Sequence, residues 1–208
     1  MTNGRRAAGL LLSAVWFAAP GAAAQNAVHH ADGWQYSFGN LGYFDGRTGD
    51  GLRGSDAGFA IGGGVGRRHA RHLAFAFDSL FAGRSYDTPT ELQFADDEMF
   101  LTNLVLTGNV QAIVPFWLFE GYVGFGLGLM ISELEVPSSV IWSETATSRS
   151  SFDLSTQILV GIDFVYTRRS RIGVEFRNIF ATADFDELSR GGVDVGGRLV
   201  AIKIKLPL

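Results

Sequence analysis

Apolar and polar residues alternate with a period of two along most of the chain after Gly33, whereas a helical surface would repeat about every 3.6 residues. The clearest run extends from Phe152 to Tyr166, with apolar side chains at most even positions and Asp153 and Asp163 among the odd ones. Successive side chains of a β-strand lie on opposite faces, so such runs predict strands with two unlike faces. The pattern predicts eight strands and a nearly all-β chain, with strands at residues 33–44, 56–67, 72–86, 98–111, 119–136, 150–167, 171–186 and 191–206.

The connections between these strands alternate in length. Short connections are predicted at residues 67–72, 112–118 and 168–170, and long ones at 45–55, 87–97 and 137–149, with a shorter final loop at 187–190. Transmembrane barrels have short periplasmic turns and longer extracellular loops. The chain is therefore predicted to fold as an all-β, eight-stranded antiparallel up-and-down transmembrane β-barrel that occupies residues 33–208.

The same alternation is also compatible with a soluble, lipocalin-like barrel, which has an apolar lumen and a hydrated exterior. The less apolar face separates the two alternatives, because it carries Gly58, Ala60, Gly62, Gly64 and Gly66 in the second strand. A hydrated surface would carry Lys, Glu and Thr there, whereas the narrow interior of an eight-stranded barrel favours small residues. We therefore assign this face to the interior.

Polar residues of both charge signs share the predicted interior face. A three-residue turn at 168–170 would place Asp163 opposite Glu175, with Arg177 one diagonal position away. Unpaired buried charges are costly, so we expect Arg198 or an amide to complete an interior polar network of Asp163, Glu175, Arg177 and Arg198 that blocks the lumen. The full predicted set is Gln35, Asp78, Asn103, Asn109, Gln111, Gln157, Asp163, Glu175, Arg177, Asp194 and Arg198.

Aromatic residues are predicted to collect near both ends of the strands, as expected for the two membrane interfaces. The predicted periplasmic group is Trp34, Tyr36, Phe116, Trp117, Phe119, Phe164 and Tyr166. The predicted opposite group is Tyr43, Phe44, Tyr86, Phe180 and Phe185.

The first 24 residues have the parts of a secretory signal peptide. Arg5 and Arg6 precede an apolar run at residues 7–19, and small residues follow up to Ala24. We expect cleavage after Ala24, with cleavage after Ala22 as the alternative. The apolar run is shorter than the roughly 20 residues of a membrane-spanning helix. Residues 25–32 would form an N-terminal extension of the mature chain, which would then be secreted through the inner membrane to the outer membrane.

The hairpin sequence GIDFVYTRRSRIGVEFR at residues 161–177 and the closing strand VGGRLVAIKIKL at residues 195–206 resemble the small eight-stranded outer-membrane barrels of the OmpA and OmpX kind. The resemblance is one of pattern, and it implies an integral outer-membrane protein with a structural, adhesion or binding role. It also implies contact with outer-membrane lipid and lipopolysaccharide, and with the barrel-insertion machinery during biogenesis. Adjacent Leu199 and Val200 predict a bulge in the last strand.

Candidate chemistry is sparse, so we expect no catalysis, no metal and no cofactor. His69 and His72 lie among arginines in a predicted periplasmic turn, and His29 and His30 lie in the extension, all far from the outer leaflet. A mature chain with 15 basic and 21 acidic side chains has a net charge of −6, which disfavours nucleic acid as a partner. We expect the loops to meet an extracellular ligand; a lipid A deacylase or acyltransferase and a narrow ion channel remain as alternatives.

Overall fold

The computed structural model describes residues 33–46, 58–87, 98–136, 147–167, 169–183 and 193–208. The predicted signal peptide and N-terminal extension lie outside these residues, and so does most or all of each of the three predicted long loops and of the shorter final loop. Nine strands are described: β1 Gln35–Gly46, β2 Gly58–Ala70, β3 Leu73–Asp87, β4 Glu98–Phe116, β5 Phe119–Val136, β6 Thr147–Val165, β7 Arg171–Ala183, β8 Val193–Asp194 and β9 Gly197–Pro207.

The strands form one closed antiparallel barrel. Each of β1 to β6 pairs with the next strand in the chain, β6 pairs with β7, β7 pairs with β9, and β9 pairs back with β1. The wall therefore has eight strands, because β8 is a two-residue piece that pairs with the loop end of β7. The predicted eight-stranded antiparallel barrel is confirmed.

The last predicted strand, 191–206, differs in detail from the one observed. It is divided into β8 and β9, and burial alternates without a break from Gly197 to Leu206. The predicted bulge at Leu199 and Val200 is therefore wrong. Leu199 packs into the barrel and Val200 faces outward, so adjacent apolar residues here simply occupy opposite faces.

The turns define one end of the barrel, which we call the turn side; the opposite end is the loop side. At the turn side, Trp117 and Leu118 join β4 to β5, and Trp117 adopts a left-handed conformation with φ of 52°. Residues 166–170 join β6 to β7, where the amide of Tyr166 donates to the carbonyl of Ser170 at 3.1 Å. This five-residue turn sets the β6–β7 register.

The outer wall is apolar. Along β5, outward-facing Val123, Phe125 and Leu127 are each at least half exposed, and the remaining outward positions from Phe119 to Ile131 are apolar or glycine. The neighbouring strands repeat the pattern, for example at Ile158, Val160 and Ile162 of β6. No helix among the described residues is long and apolar enough to cross a membrane.

Candidate functional site

Three groups of charged residues fill the turn-side half of the barrel interior. The group nearest the turns is centred on Glu120 of β5. Its Oε1 accepts from Arg68 Nη1 of β2 at 2.6 Å, and its Oε2 accepts from Arg171 Nε of β7 at 2.8 Å. The Arg171 guanidinium lies 3.9 Å from the ring centre of Trp34, so the aromatic face supplies a further favourable contact. These side chains close the turn-side end.

The second group uses two lysines of the last strand. Lys205 Nζ lies 2.6 Å from Asp163 Oδ2 of β6, and Lys203 Nζ lies 2.7 Å from Glu175 Oε2 of β7. Tyr122 donates its hydroxyl to Glu175 at 2.9 Å, and the Lys205 ammonium lies 4.5 Å from the centre of the Tyr122 ring. Each buried ammonium therefore has both a carboxylate partner and an aromatic neighbour.

The third group lies one level further from the turns and is centred on Arg177 of β7. Arg177 bridges two carboxylates, with Nε at 2.5 Å from Glu175 Oε1 and Nη2 at 2.6 Å from Asp78 Oδ2. Thr107 donates to Asp78, and Gln157 donates to Thr107 at 3.1 Å. A chain of hydrogen bonds thus connects four strands at this level.

Together the three groups contain five cations and four carboxylates, all with side chains no more than 5% exposed. Each of the nine has an opposite charge within 2.8 Å. Buried ions are tolerated when they are paired and hydrogen-bonded in this way. We call this set the charged plug: Arg68, Asp78, Glu120, Asp163, Arg171, Glu175, Arg177, Lys203 and Lys205.

The loop-side half of the interior is mainly apolar. Its side chains form one buried cluster, which we call the apolar plug: Phe44, Ala60, Leu80, Ala82, Leu101, Val105, Met130, Leu134, Ile179, Ala181, Ala183, Val195, Leu199 and Ala201. Two polar side chains at this level use backbone partners: Asn103 Nδ2 donates to the Val195 carbonyl at 3.3 Å, and Nη1 of the buried Arg84 donates to the Gly196 carbonyl at 3.5 Å. The Arg84 guanidinium also lies 5.6 Å from the ring centre of Phe44. Charged side chains thus fill the turn-side half of the lumen, and mainly apolar side chains fill the loop-side half.

The structure places Asp163, Glu175 and Arg177 in the interior network, but it places Arg198 outside. Arg198 is exposed on the outward face of β9 because the predicted bulge is absent and the residue shares its facing with Val200 and Ile202. Gln35 is also exposed, so its predicted interior position is wrong as well. Asp78, Asn103, Asn109, Gln111 and Gln157 are buried inside.

The predicted pairing of Asp163 with Glu175 is wrong. Asp163 pairs with Gly173, and Glu175 pairs with Gly161, because the turn contains five residues instead of three. The resulting register differs by two positions along β7. Since a shift of two preserves the facing of every side chain, both carboxylates still point inward.

Sequence reasoning missed several members of the charged plug. Lys203 and Lys205 alternate with the outward-facing Ile202 and Ile204, so the period-two pattern could have identified them. Arg68 falls within the predicted periplasmic turn at residues 67–72, but its side chain is buried against Glu120. Trp34, Tyr36 and Phe44, which the aromatic pattern assigns to membrane interfaces, point into the barrel, whereas Phe116 and Trp117 are at least 70% exposed.

No group of three or more His, Cys, Asp or Glu side chains able to hold a metal occurs in the described ranges. His72 Nδ1 lies 2.9 Å from the carbonyl oxygen of Ile113, and the His69 ring packs near Phe75.

Comparison with solved structures identifies the fold. OprG from Pseudomonas aeruginosa superposes with a TM-score of 0.63 at 15% identity, covering 87% of this chain and 98% of OprG. The chain has the fold of the small outer-membrane barrels. Neisserial surface protein A gives a TM-score of 0.58 at 12% identity, with 85% and 98% of the two chains covered. Ail of Yersinia pestis, solved with the heparin analogue sucrose octasulfate, gives 0.54 at 12% identity, with 85% and 100% covered.

No family model matches the chain, and no curated protein matches it. At these identities the likeness is one of fold, so the role of the barrel has to be argued from its own residues.

Proposed function

We propose that the protein is an integral outer-membrane barrel that acts without catalysis, in a structural or surface-interaction role through its extracellular loops. The observation that carries this proposal is the inverted distribution of polarity. Lys203 and Glu175 are fully buried inside, while Leu127 and Ile202 are about 60% exposed on the outer wall. A barrel surrounded by water would expose the charges and bury the apolar residues.

The height of the apolar wall supports a membrane location. On β5 the outward-facing residues remain apolar or glycine from Phe119 to Ile131, and exposed Glu133 and Glu135 follow. At roughly 3.3 Å per residue and a tilt of about 40°, this stretch rises about 30 Å, which is close to the thickness of the hydrocarbon core. Outer-membrane phospholipid and lipopolysaccharide would contact this wall, and the barrel-insertion machinery would place it there.

The loop sequences support a partner other than a sulfated polymer such as the one represented in the Ail complex. Residues 88–97 contain Glu91, Asp96 and Asp97 without a basic residue, and residues 184–192 contain three carboxylates against one arginine. Acidic loops repel polyanions, so we propose a ligand that presents cationic groups or that binds through bridging divalent cations.

Heat modifiability of the outer-membrane fraction tests the location. A folded barrel resists detergent and migrates differently on a gel before and after boiling, so we expect a mobility shift in that fraction. A soluble periplasmic protein without a shift would overturn the proposal and favour a lipocalin-like cup.

Loop replacement tests the role. Exchanging residues 88–97 for a Gly/Ser segment of equal length should abolish adhesion of expressing cells to a surface that the wild type binds, whereas exchanging the turn residues 167–170 should not. Adhesion that survives removal of the three long loops and the shorter final loop would contradict a loop-mediated role. Altered acylation of lipid A on expression would indicate an enzyme, and stepwise conductance in planar bilayers would indicate a channel.

A further inference from the structure

A groove interrupts the outer wall of the barrel near its turn side. It has a volume of about 580 Å³ and crosses the outward faces of β1 to β4. This volume lies within the range of about 300 to 1,000 Å³ that is typical of small-molecule sites. None of the residues of the charged plug lines the groove.

A missing side chain creates the groove. Register places Val65, Phe77 and Gly108 in one row across β2, β3 and β4, and Phe77 is 56% exposed beside the glycine. A Cβ atom at Gly108 would meet only one atom within 4 Å, the carbonyl oxygen of Leu127 at 4.0 Å. The position is therefore open space on a wall that is otherwise covered by apolar side chains.

The groove has an apolar body and a basic end. Val65, Phe75, Phe77 and Val110 line it, and each is about half exposed. Arg67, which is exposed and pairs with Phe75 in the register, lies at its turn-side end. At this end of β1 to β4 no outward-facing described side chain is a carboxylate. Leu208 also lines the groove, and its amide donates to the carbonyl of Gln35, the residue that pairs with Arg67 in the register. The site therefore combines an apolar surface with an exposed guanidinium.

We propose that this groove binds one phospholipid of the periplasmic leaflet, with an acyl chain over Gly108 and the phosphate at Arg67. The proposal rests on the membrane location proposed above, which places Arg67 at the level of the periplasmic headgroups. A guanidinium forms paired hydrogen bonds with phosphate oxygens, and an acyl chain fills an apolar groove without needing polar partners.

The positive charge of Arg67 favours an anionic phospholipid as the occupant. Phosphatidylglycerol carries a net negative charge, whereas the phosphate of a zwitterionic lipid is partly offset by its own ammonium group. A second copy of the barrel would bring its own Arg67 toward this end of the groove if the contact were symmetric, and like charges would then oppose the contact.

Lipid binding by four variants tests the proposal. Gly108→Leu fills the groove and Arg67→Gln removes the charge. The matched controls are Gly39→Leu, at another open outward glycine, and Arg198→Gln, at the opposite rim. The folded barrel is purified in detergent without lipid, titrated with phosphatidylglycerol, and analysed by native mass spectrometry.

We expect the wild type and both controls to bind one phosphatidylglycerol with the same affinity. Arg67→Gln should weaken binding at least about fivefold, the equivalent of roughly 1 kcal/mol for one basic residue near a lipid surface. Gly108→Leu should weaken it further, to the level of nonspecific lipid adherence. Equal binding by all five proteins, or a dimer in place of the lipid complex, would overturn the inference.

The gel-shift assay separates this inference from the membrane proposal. A heat-dependent shift combined with equal lipid binding by all variants would remove only the phospholipid site. Absence of the shift and of lipid binding in the wild type would remove the membrane location itself.

Discussion

The two halves of the barrel interior fill the same space with different chemistry. In the turn-side half, nine ionised side chains are held by short ion pairs, such as Lys205 with Asp163 at 2.6 Å. In the loop-side half, Leu80, Leu101 and Leu134 belong to one buried apolar cluster, beside a single described buried guanidinium, that of Arg84. The first half depends on every partner being present, whereas the second depends on total volume, so the two halves should respond differently to substitution.

The largest expected effect is the removal of one carboxylate from the charged plug. Glu175→Gln leaves Lys203 and Arg177 without the charge they share, and breaking a buried pair from one side costs about 3–5 kcal/mol of the free energy of unfolding. Urea titration of the barrel in phosphocholine vesicles, followed by the gel shift, measures this change. The double variant Glu175→Gln with Lys203→Met should recover part of the loss. A loss below about 1 kcal/mol in the single variant would contradict the assigned pairing.

A somewhat smaller effect is expected from a cavity in the apolar plug. Leu101→Ala removes a fully buried side chain and should lower the free energy of unfolding by about 2–5 kcal/mol. Leu101→Met keeps the volume and should cost less than about 1.5 kcal/mol. The same urea titration compares them, and equal losses in the two variants would show that volume does not govern this half.

Overpacking distinguishes the interior from the outer wall. A Cβ at Gly126 would overlap Asn109 and Gln157, whereas one at Gly39 would make only an ordinary contact, with the Gly62 carbonyl oxygen at 3.9 Å. Gly126→Val should therefore destabilise the barrel by about 1–3 kcal/mol, and Gly39→Val by much less. The temperature at which half of each variant migrates as unfolded protein on the gel measures both effects. Similar midpoints would mean that the interior has room to relax at this level.

The smallest effect is expected at Arg198. Because it lies on the outward face of β9, Arg198→Gln should change the free energy of unfolding by less than about 0.5 kcal/mol. Arg177→Gln, which removes the bridge between Glu175 and Asp78, serves as the comparison and should cost several times more. Equal costs would return Arg198 to the interior network where the sequence pattern predicts it.

The sequence predicted best on which face of its strand each side chain lies, because this property follows from the period of two. An error in the length of a turn by an even number of residues does not alter it. A turn two residues longer than expected changed the partner of Asp163 without changing the side on which it lies. The prediction of facing failed for Arg198, where an inferred bulge reversed the facing, and for Gln35, which is exposed between the buried Trp34 and Tyr36. Pair identities depend on turn lengths, which the alternation of apolar residues does not encode.

The apolar plug was hidden from sequence reasoning for a different reason. Where the loop-side interior is apolar, both faces of a strand read alike, as in Leu104-Val105-Leu106 of β4 and Leu129-Met130-Ile131 of β5. Val105 and Met130 point inward, and their neighbours point outward. The period of two is visible in a sequence only when one face of the strand is apolar and the other polar, and in these stretches both faces are apolar.

The pairing of β1 with β9, which closes the barrel, links the interior ion pairs to the order in which the strands assemble. It pairs Tyr36 with Pro207, and Lys203 and Lys205 reach Glu175 and Asp163 from the final strand. Until β9 pairs with its neighbours, Asp163 and Glu175 lack the ammonium groups of Lys205 and Lys203. Contacts so distant in sequence form late and slowly. A half-formed barrel would therefore leave the Asp163 carboxylate without the Lys205 ammonium and open to water, and arrival of the last strand would both pair this carboxylate and exclude the water, which makes closure a single cooperative event.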